Sequence, residues 1–295
     1  MENIPEQKLE SKEKGFEKIS PTAKFVAYQR TFTDIPYSKE MAEVTDAKEI
    51  FEKIAGDGKN VEHTIAMFEA RFKSVSNALA ERKVKNVVEI ATGLSPRPLI
   101  MTEDPQVNYV ATDLPDILNE VKEIEKVILG NQSRSNLKFQ ELNVLDKNEL
   151  LRIIGIFSDQ EPVAITMEGL LMYLDREEQM KVAKNIHEAL KDKDGFWITT
   201  DFMIRDRLSD NETARKNLIG NINNATGRTM RDNMFEDEKE IERFLDATGF
   251  RFEKISQVNL IDELSCLNNP NVDLDKEKAS KYLENKYTYI LYPIK

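Results

Sequence analysis

The apolar residues between positions 61 and 202 follow two different periods. An amphipathic stretch comes first, with apolar residues three and four apart, which predicts a helix of roughly five turns. Its members are Val61, Ile65, Phe68, Phe72, Val75 and Leu79. It leads into a run at 87–91 in which four of five residues are apolar and three are β-branched. Such a run is typical of a strand buried on both faces of a parallel sheet.

Helical and strand patterns alternate along the rest of the chain. Strands are predicted at 87–91, 107–112, 137–142, 162–167, 195–202, 251–258 and 287–292. Helices are predicted at 21–33, 46–54, 61–79, 114–130, 147–156, 175–191 and 237–248. Asp175 with Glu178 three residues later is a capping signature for one of them. The alternation predicts an α/β domain with a mostly parallel sheet.

The pattern also divides the chain into regions. We expect a single domain over 21–295, preceded by a flexible polar tail at 1–20. Residues 21–84 are expected to form a helical N-terminal cap. Residues 203–235 are rich in Arg, Asn, Asp and Met and poor in aliphatic residues, which predicts a lid or substrate insertion.

Composition narrows the function classes. The net charge is 42 minus 53, or −11, which argues against nucleic acid or an anionic membrane as a partner. No segment has the roughly 20 apolar residues of a membrane helix. The chain has one cysteine, Cys266, and no signal-peptide pattern, so we expect a soluble, cytoplasmic protein without disulfides. His63 and His187 with that cysteine are too few ligands for zinc, and no metal is expected.

The strand at 87–91 ends in a glycine turn at Gly93, and the next strand ends in Asp113, twenty residues later. Strand, glycine turn, helix, strand and acid form the plan of a βαβ nucleotide site. Gly93 is the only glycine between Ala91 and Arg97. A pyrophosphate needs several positions without side chains at this turn, so NAD is disfavoured. S-adenosylmethionine is a nucleoside ligand without phosphate, so it needs fewer positions without side chains at this turn.

The nucleoside part of S-adenosylmethionine has candidate partners at two strand ends. Asp113 is expected to accept both ribose hydroxyls, and Leu114 to pack on the adenine ring. Asp146, Asn143, or the backbone of Val144 and Leu145 is expected to contact the adenine edge. These positions agree with the rule that open α/β sheets bind ligands at the carboxyl ends of their strands.

The methionine part also has candidate partners. A carboxylate such as Glu168 or Glu89 suits the cationic sulfonium. Arg71, in the helix before the first strand, is a candidate for a two-point contact with the ligand's carboxylate.

Several motifs resemble those of the leucine carboxyl methyltransferase family, which includes bacterial O-methyltransferases of polyketide-type metabolism. They are VVEIATGLSPR at 87–97, MFEARF at 67–72, TDLP at 112–115, NVLD at 143–146, the N-terminal segment TAKFVAYQR at 22–30 with DIP at 34–36, and MEGLLMYL at 167–174. The last is the most specific. Ala91 stands where the family has glycine and adds only a methyl group; Ser95 replaces an aspartate, and Asn143 a more usual aspartate. The matches cover roughly residues 21 to 205.

The resemblance implies a fold, a cofactor and a reaction. The fold is a Rossmann-like class I methyltransferase with a seven-stranded, mostly parallel sheet. The cofactor is S-adenosylmethionine, bound by Arg71, by the motif positions Ala91 and Gly93, and by Glu168 with Gly169. The reaction is O-methylation of a carboxylate or hydroxyl on a small molecule or a peptide end.

Catalysis needs little beyond alignment of an acceptor oxygen with the methyl carbon and the sulfur. A carboxylate acceptor needs no base, and the lid residues Arg205 and Arg228 are expected to position it. A hydroxyl acceptor would be deprotonated with help from Glu168, Tyr173 or Tyr28.

Two alternatives stay open. One is a non-catalytic binding module, motivated by the departures at Ala91 and Ser95. The other is an NAD-dependent oxidoreductase, motivated by the strand and acid spacing alone.

Overall fold

A computed structural model of the chain describes residues 21–55, 61–130, 132–158, 161–205 and 230–295, together with Gly220. Its strands are β1 (Asn86–Ile90), β2 (Asn108–Asp113), β3 (Leu137–Glu141), β4 (Val163–Met167), β5 (Phe196–Thr199), β6 (Phe250–Ser256) and β7 (Tyr287–Pro293). They form one mixed seven-stranded sheet in the order β3-β2-β1-β4-β5-β7-β6. Strands β1 to β5 pair in parallel, and β7 is antiparallel to β5 and β6. The predicted fold class is confirmed.

The helices are α1 (Pro21–Arg30), α2 (Ser38–Val44), α3 (Ala47–Ala55), α4 (Glu62–Glu81), α5 (Arg97–Met101), α6 (Pro115–Leu129), α7 (Lys147–Ile154), α8 (Arg176–Leu190), α9 (Glu238–Thr248) and α10 (Lys276–Leu283). The predicted capping box of Asp175 and Glu178 begins α8. Gly249, at φ 80°, ends α9. None of the described helices is long and apolar enough to cross a membrane.

The central strands are covered on both faces. All five residues of β1 and all five of β4 are buried. Val88 packs in a cluster with residues of α7 and α8, and Val87 in a second cluster with residues of α4. In the parallel register, Glu89 lies opposite Ala111 of β2 and Thr166 of β4. The carboxyl ends of β1, β2 and β4 therefore lie side by side.

Three of the four N-terminal helices were predicted from apolar spacing, and α2 was not. It follows Tyr37, which is left-handed (φ 63°) and caps the helix with no side-chain hydrogen bond. The sequence therefore carries no start signal for this helix.

The segment between β6 and β7 was also not predicted. It contains the short 3₁₀ helices Gln257–Glu263 and Ser265–Asn268 and then α10. The fully buried Glu69 of α4 holds it, accepting hydrogen bonds from the backbone N–H of Ser265 (2.8 Å) and of Cys266 (3.0 Å). A long-range contact of this kind has no local sequence signature.

The predicted tail at 1–20 lies outside the described residues, as do positions 206–219 and 221–229 of the predicted lid. The described ends of that insertion meet in a parallel bridge between Ile204 and Phe235. The domain boundaries and the lid stay predictions.

Glu125 of α6 is buried, and neither of its carboxylate oxygens has a hydrogen-bond partner among the described residues. Burial, helped by Glu89 and opposed by Arg134, raises the pKa of this carboxyl from 4.5 to about 8. The pKa of Glu125 is higher in the folded state than in the unfolded state. The stability that the protonated side chain contributes is therefore complete below pH 4.5 and is lost as the pH rises through about 8.

Glu125→Gln keeps the shape of the side chain and cannot ionise. We expect the variant to be more stable than the wild type above about pH 8 and similar to it below about pH 5. Thermal unfolding across this range measures the difference. Glu123→Gln, at an exposed position of the same helix, is the control and should show no such trend. A constant difference for Glu125→Gln would contradict the prediction.

Candidate functional site

The turn after β1 has an unusual backbone. Ala91 (φ 53°) and Gly93 (φ 46°) are both left-handed. This conformation suits glycine but costs a residue with a side chain about 1 kcal/mol. The alanine therefore adds backbone strain as well as a methyl group. A Cβ on Gly93 would lie 3.7 Å from that of Ala23 in α1, so the N-terminal helix lies directly over the turn.

Asp113 ties the end of β2 to this turn. Its carboxylate accepts hydrogen bonds from the backbone N–H of Gly93 (2.9 Å) and of Leu114 (2.8 Å). Burial raises the pKa of Asp113 to about 6, although these two bonds lower it. The two motifs that the sequence analysis assigned to one nucleotide site therefore touch each other.

Five charged side chains meet beside the turn, and we call them the arginine–glutamate cluster: Arg30, Arg71, Glu89, Arg97 and Glu168. Arg30, Glu89 and Arg97 are buried, and Arg71 and Glu168 are half-buried. Arg97 Nη1 lies 2.8 Å from Glu89 Oε1 and 2.6 Å from Glu168 Oε1. Arg71 Nε lies 3.2 Å from Glu168 Oε2. Burial alone would lower the pKa of Arg97, but Glu168 and Glu89 outweigh it and raise that pKa above its usual value. One arginine thus joins the motifs that follow β1 and β4.

Glu89 also accepts hydrogen bonds from the hydroxyls of Thr92 (2.7 Å) and Ser95 (2.9 Å). Ser95 is one of the departures from the family motif. Its hydroxyl therefore has a defined partner inside the site, and the departure leaves the cluster hydrogen-bonded.

Glu168 begins a tight loop that Asp201, just after β5, holds in place. The Asp201 carboxylate accepts hydrogen bonds from the backbone N–H of Gly169 (2.6 Å), Leu170 (2.8 Å) and Leu171 (3.0 Å). Gly169 is left-handed (φ 80°), and a Cβ there would lie 3.0 Å from Arg71 Nη2. A side chain at this position would require the Arg71 guanidinium to move by a few tenths of an ångström.

The Glu168 carboxylate is held in its ionised form. Burial works against the charge, but Arg97, Arg71 and Arg30 outweigh it and lower the pKa of Glu168 below its usual value. A carboxylate with a lowered pKa is a poor proton acceptor at neutral pH. This argues against the expected role of Glu168 as a general base.

Arg30, the last residue of α1, enters the cluster from the cap. It is 7% exposed, and its Nη1 donates to the backbone carbonyl of Leu94 (3.0 Å) in the glycine turn. Its guanidinium carbon lies 5.4 Å from the centre of the Phe72 ring. Nε has no hydrogen-bond partner among the described residues. Burial lowers the pKa of Arg30 to about 10 against the attraction of Glu168.

The expected adenine residues form a turn between β3 and α7. Asn143 Oδ1 accepts from the backbone N–H of Leu145 (3.1 Å), and the carbonyl of Val144 accepts from Asn185 Nδ2 (2.9 Å). Asp146 caps α7 by accepting from two backbone N–H groups. The Asn143 side chain thus fixes the conformation of its own turn, and the Asp146 carboxylate caps α7.

Tyr28 and Tyr173 lie on the cap side of the site. The Tyr28 ring packs on Phe51 (4.7 Å between centres), and Tyr173 Oη lies 3.1 Å from Thr22 Oγ1 of α1. Tyr173 also packs beside an apolar cluster formed by Phe25, Ile50, Phe51, Ile54, Ala55, Phe68, Met172 and Met230.

Of the two arginines that were expected to act from the lid, the structure describes Arg205. The backbone N–H of Arg205 donates to Phe235 (2.7 Å), whose ring lies 3.8 Å from the guanidinium carbon of Arg176. Arg205 thus contacts Phe235, which in turn packs on Arg176 at the start of α8, and this contact is not with the arginine–glutamate cluster. Arg228 lies outside the described residues.

A family model described as leucine carboxyl methyltransferase matches residues 20–187, more than half of the chain. The chain belongs to the leucine carboxyl methyltransferase family. It is accordingly an O-methyltransferase that uses S-adenosylmethionine. The family match supports neither the NAD-dependent oxidoreductase nor the non-catalytic module.

Solved methyltransferase structures resemble the chain at low identity. The methyltransferase domain of bacterial CtHen1-C is 11% identical, covers 76% of this chain and 97% of its own, and has a TM-score of 0.50. An O-methyltransferase family protein from Burkholderia thailandensis is 16% identical over 88% of this chain and 63% of its own, with a TM-score of 0.46. The mitomycin 7-O-methyltransferase MmcR is 12% identical over 87% of this chain and 60% of its own, with a TM-score of 0.48. This chain thus spans less than two thirds of both O-methyltransferases. No protein of curated function matches it.

Three residues of this candidate site were given no individual role from the sequence. Arg97 closes the quoted first motif but was given no role. Asp201 fell inside the strand predicted at 195–202, whereas β5 ends at Thr199 and leaves this acid just beyond the strand. Arg30 ends a helix predicted only from apolar spacing, and its burial depends on how the cap packs.

Asp201→Asn tests whether this carboxylate holds the Glu168 loop. An amide offers one acceptor oxygen and presents N–H groups to the remaining donors, so a buried N–H is left unpaired. We expect the free energy of unfolding to fall by about 1–3 kcal/mol in denaturant titrations. Asp237→Asn is the matched control, because Asp237 is an exposed cap of α9 and asparagine caps a helix equally well. Equal effects of the two changes would contradict the assignment.

Proposed function

We propose that the residues at the carboxyl ends of β1, β2 and β4 bind S-adenosylmethionine, and that the methyl acceptor is a carboxylate on a small molecule or a peptide end. The observation that carries this proposal is the bridge of Arg97 between Glu89 and Glu168, beside the bond of Asp113 to Gly93. It joins the family's motifs in one continuous site.

The residues present fit the cofactor. The Asp113 carboxylate faces the glycine turn and is suited to accept the ribose hydroxyls, with Leu114 beside the adenine ring. Asn143, Val144 and Leu145 would contact the adenine edge, as proposed from the sequence.

The methionine part of the cofactor meets the charged residues. Ala91, Gly93 and Gly169 would let it approach the backbone. Arg71 would bind its carboxylate, while Glu168 and Glu89 would face its cationic groups. Arg30 Nε is buried and has no hydrogen-bond partner within the part of the chain that the structure describes, which supports this fit because buried charges are ordinarily paired.

When bound, S-adenosylmethionine supplies an electrophilic methyl group on a sulfonium. The chain's own residues hold the reactants and exclude water, and alignment contributes most of the acceleration. The apolar cluster beside Tyr173 would cover the acceptor, with Tyr28 at its margin. The lowered pKa of Glu168 favours an acceptor that needs no base, which is a carboxylate.

A hydroxyl acceptor is the second candidate. The position of the Tyr173 hydroxyl, 3.1 Å from Thr22 Oγ1 between the cap and the Glu168 loop, favours it as the group that would relay a proton. Arg228 keeps its proposed role toward the acceptor, and Arg205 is proposed to act only through the lid.

Calorimetry with S-adenosylmethionine and with its demethylated product tests the cofactor. We expect dissociation constants on the order of micromolar, weakened by Asp113→Ala. Asp275→Ala is the control, because Asp275 accepts a backbone hydrogen bond as the exposed cap of α10. Absence of heat with both ligands would overturn the proposal.

The acceptor class is tested with cofactor labelled in its methyl group. We expect the transferred label to be released as methanol by mild alkali, because methyl esters hydrolyse there and methyl ethers do not. Label that stays bound after alkali would support the hydroxyl acceptor instead.

The raised pKa of Asp113 predicts pH-dependent cofactor affinity. Ribose hydroxyls donate hydrogen bonds, so they favour the ionised carboxylate. Protonation below about pH 6 should weaken binding, approaching roughly ten-fold per pH unit. Asp113→Asn is expected to bind more weakly and to lose this dependence. Calorimetry between pH 5 and 8 measures both effects, and a wild-type affinity that is flat across that range would contradict the role of Asp113.

A further inference from the structure

The turn at 143–146, which the proposed function assigns to the adenine edge, has most of its backbone N–H groups engaged. The N–H of Asn143 donates to Glu149 Oε2 (2.7 Å). Those of Leu145 and Asp146 donate to the side-chain oxygen (3.1 Å) and the carbonyl (2.8 Å) of Asn143. The N–H of buried Val144 has no hydrogen-bond partner among the described residues. Because a backbone N–H is an obligatory donor, this one calls for a partner.

The direction of this N–H follows from the peptide unit that contains it. In a trans peptide unit such as this one, the C=O and the N–H point in opposite directions. The Asn143 carbonyl turns inward to accept from Asp146, so the N–H of Val144 points out of the turn. Leu142, directly before the turn, donates to the carbonyl of Asp113 (3.0 Å). The turn is therefore held beside the strand end that carries the expected ribose ligand.

Asn185 of α8 holds the next peptide unit of the turn. It is 5% exposed, and its Nδ2 donates to the carbonyl of Val144 (2.9 Å). The N–H of the same unit, that of Leu145, is bound by the Asn143 side chain. Val144 thus lies between two peptide units that are both held. Its N–H cannot be re-aimed by rotating the second unit unless a buried hydrogen bond is broken, which is unfavourable.

The chemistry of the base matches this donor. The edge of adenine presents the ring nitrogen N1, which is an acceptor, next to an amino group, which is a donor. An outward N–H is complementary to N1. The Val144 carbonyl is already engaged by Asn185, so this residue contributes its donor and not its acceptor. Hydrogen bonding to N1 then depends on how well the turn is held.

We propose that Asn185 is a positioning residue for adenine recognition: by holding the Val144 carbonyl, it aims the Val144 N–H at N1 of the cofactor. This inference rests on the proposed function. Asn185 acts through the turn and does not touch the cofactor. It makes α8, which contributes no residue to the arginine–glutamate cluster, a determinant of base recognition.

A thermodynamic cycle tests this proposal. The probes are S-adenosylhomocysteine and its 1-deaza analogue, in which a C–H group replaces N1, and calorimetry measures both affinities. We expect the wild type to bind the analogue about five-fold more weakly or worse. Asn185→Leu keeps nearly the same shape and has no side-chain donor. It should bind S-adenosylhomocysteine more weakly and distinguish the two ligands by less than about two-fold. Equal losses for both ligands, the result of a merely structural role, would overturn the proposal.

Two further variants sharpen the result. Asn136→Leu is the matched control, because Asn136 Nδ2 also donates to backbone carbonyls, those of Asp104 (3.0 Å) and Val107 (2.8 Å), at the amino end of the sheet. It should keep the wild-type ratio of affinities. Asn185→Ala makes the same test if the leucine variant does not fold, since alanine favours a helix. A folded Asn185 variant that keeps the wild-type ratio would overturn the proposal.

The outcomes separate this inference from the proposed function. If the wild type binds neither ligand, the proposed function itself fails. If it binds both equally, or if the Asn185 variants keep its preference, only this inference fails.

A second measurement needs no variant. Hydrogen exchange of the Val144 amide in the wild type is followed by NMR at saturation with each ligand. We expect S-adenosylhomocysteine to protect this amide more than the 1-deaza analogue does, because only the former accepts its hydrogen bond. Equal protection would contradict the proposal.

Discussion

The contact on which the site depends is the bridge of Arg97 between Glu89 and Glu168. Each of these groups is nearly inaccessible to water, and none would be stable as an isolated charge there. Removing one partner of a buried pair ordinarily costs about 3–5 kcal/mol, because the other is left uncompensated. The strand ends, the glycine turn and the loop after β4 therefore have to keep their relative positions for the cluster to exist.

The strand order explains why this contact forms between residues far apart in the chain. β1 and β4 are neighbours in parallel register, so the residues that follow them emerge at the same end of the sheet. Glu89 reaches Arg97 across the glycine turn, and Glu168 reaches it from the adjacent strand. Asp201 after β5 then fixes the Glu168 loop through three backbone N–H groups. A side chain at the end of one strand thus holds the loop or side chain that follows the neighbouring strand.

Much of this arrangement could be predicted because its signals are local. Apolar runs identified the strands, and apolar spacing with cap and stop residues identified α4, α6, α7, α8 and α9. The short helix α5 and the helix α10 were not predicted. What could not be predicted depends on contacts distant in sequence. The left-handed α2 start at Tyr37, the Glu69 contact with Ser265 and the burial of Arg30 each require a second segment to be in position. Ala91 shows the same limit, because an apolar run does not reveal that its last residue is left-handed.

The pairing of Glu168 with two arginines also bears on the proposed chemistry. A sulfonium is cationic, and its charge disappears as the methyl group moves to a carboxylate. An unpaired carboxylate beside it would stabilise the starting state more than the transition state and so slow the transfer. Arg97 and Arg71 already partly neutralise the negative charge of Glu168. The electrostatic field of Glu168 at the sulfonium is therefore smaller, while the position of its carboxylate stays fixed. In the proposed function, the cluster would thus hold a cationic cofactor in line without favouring the unreacted state, with Glu168 acting as an anchor and not as a base.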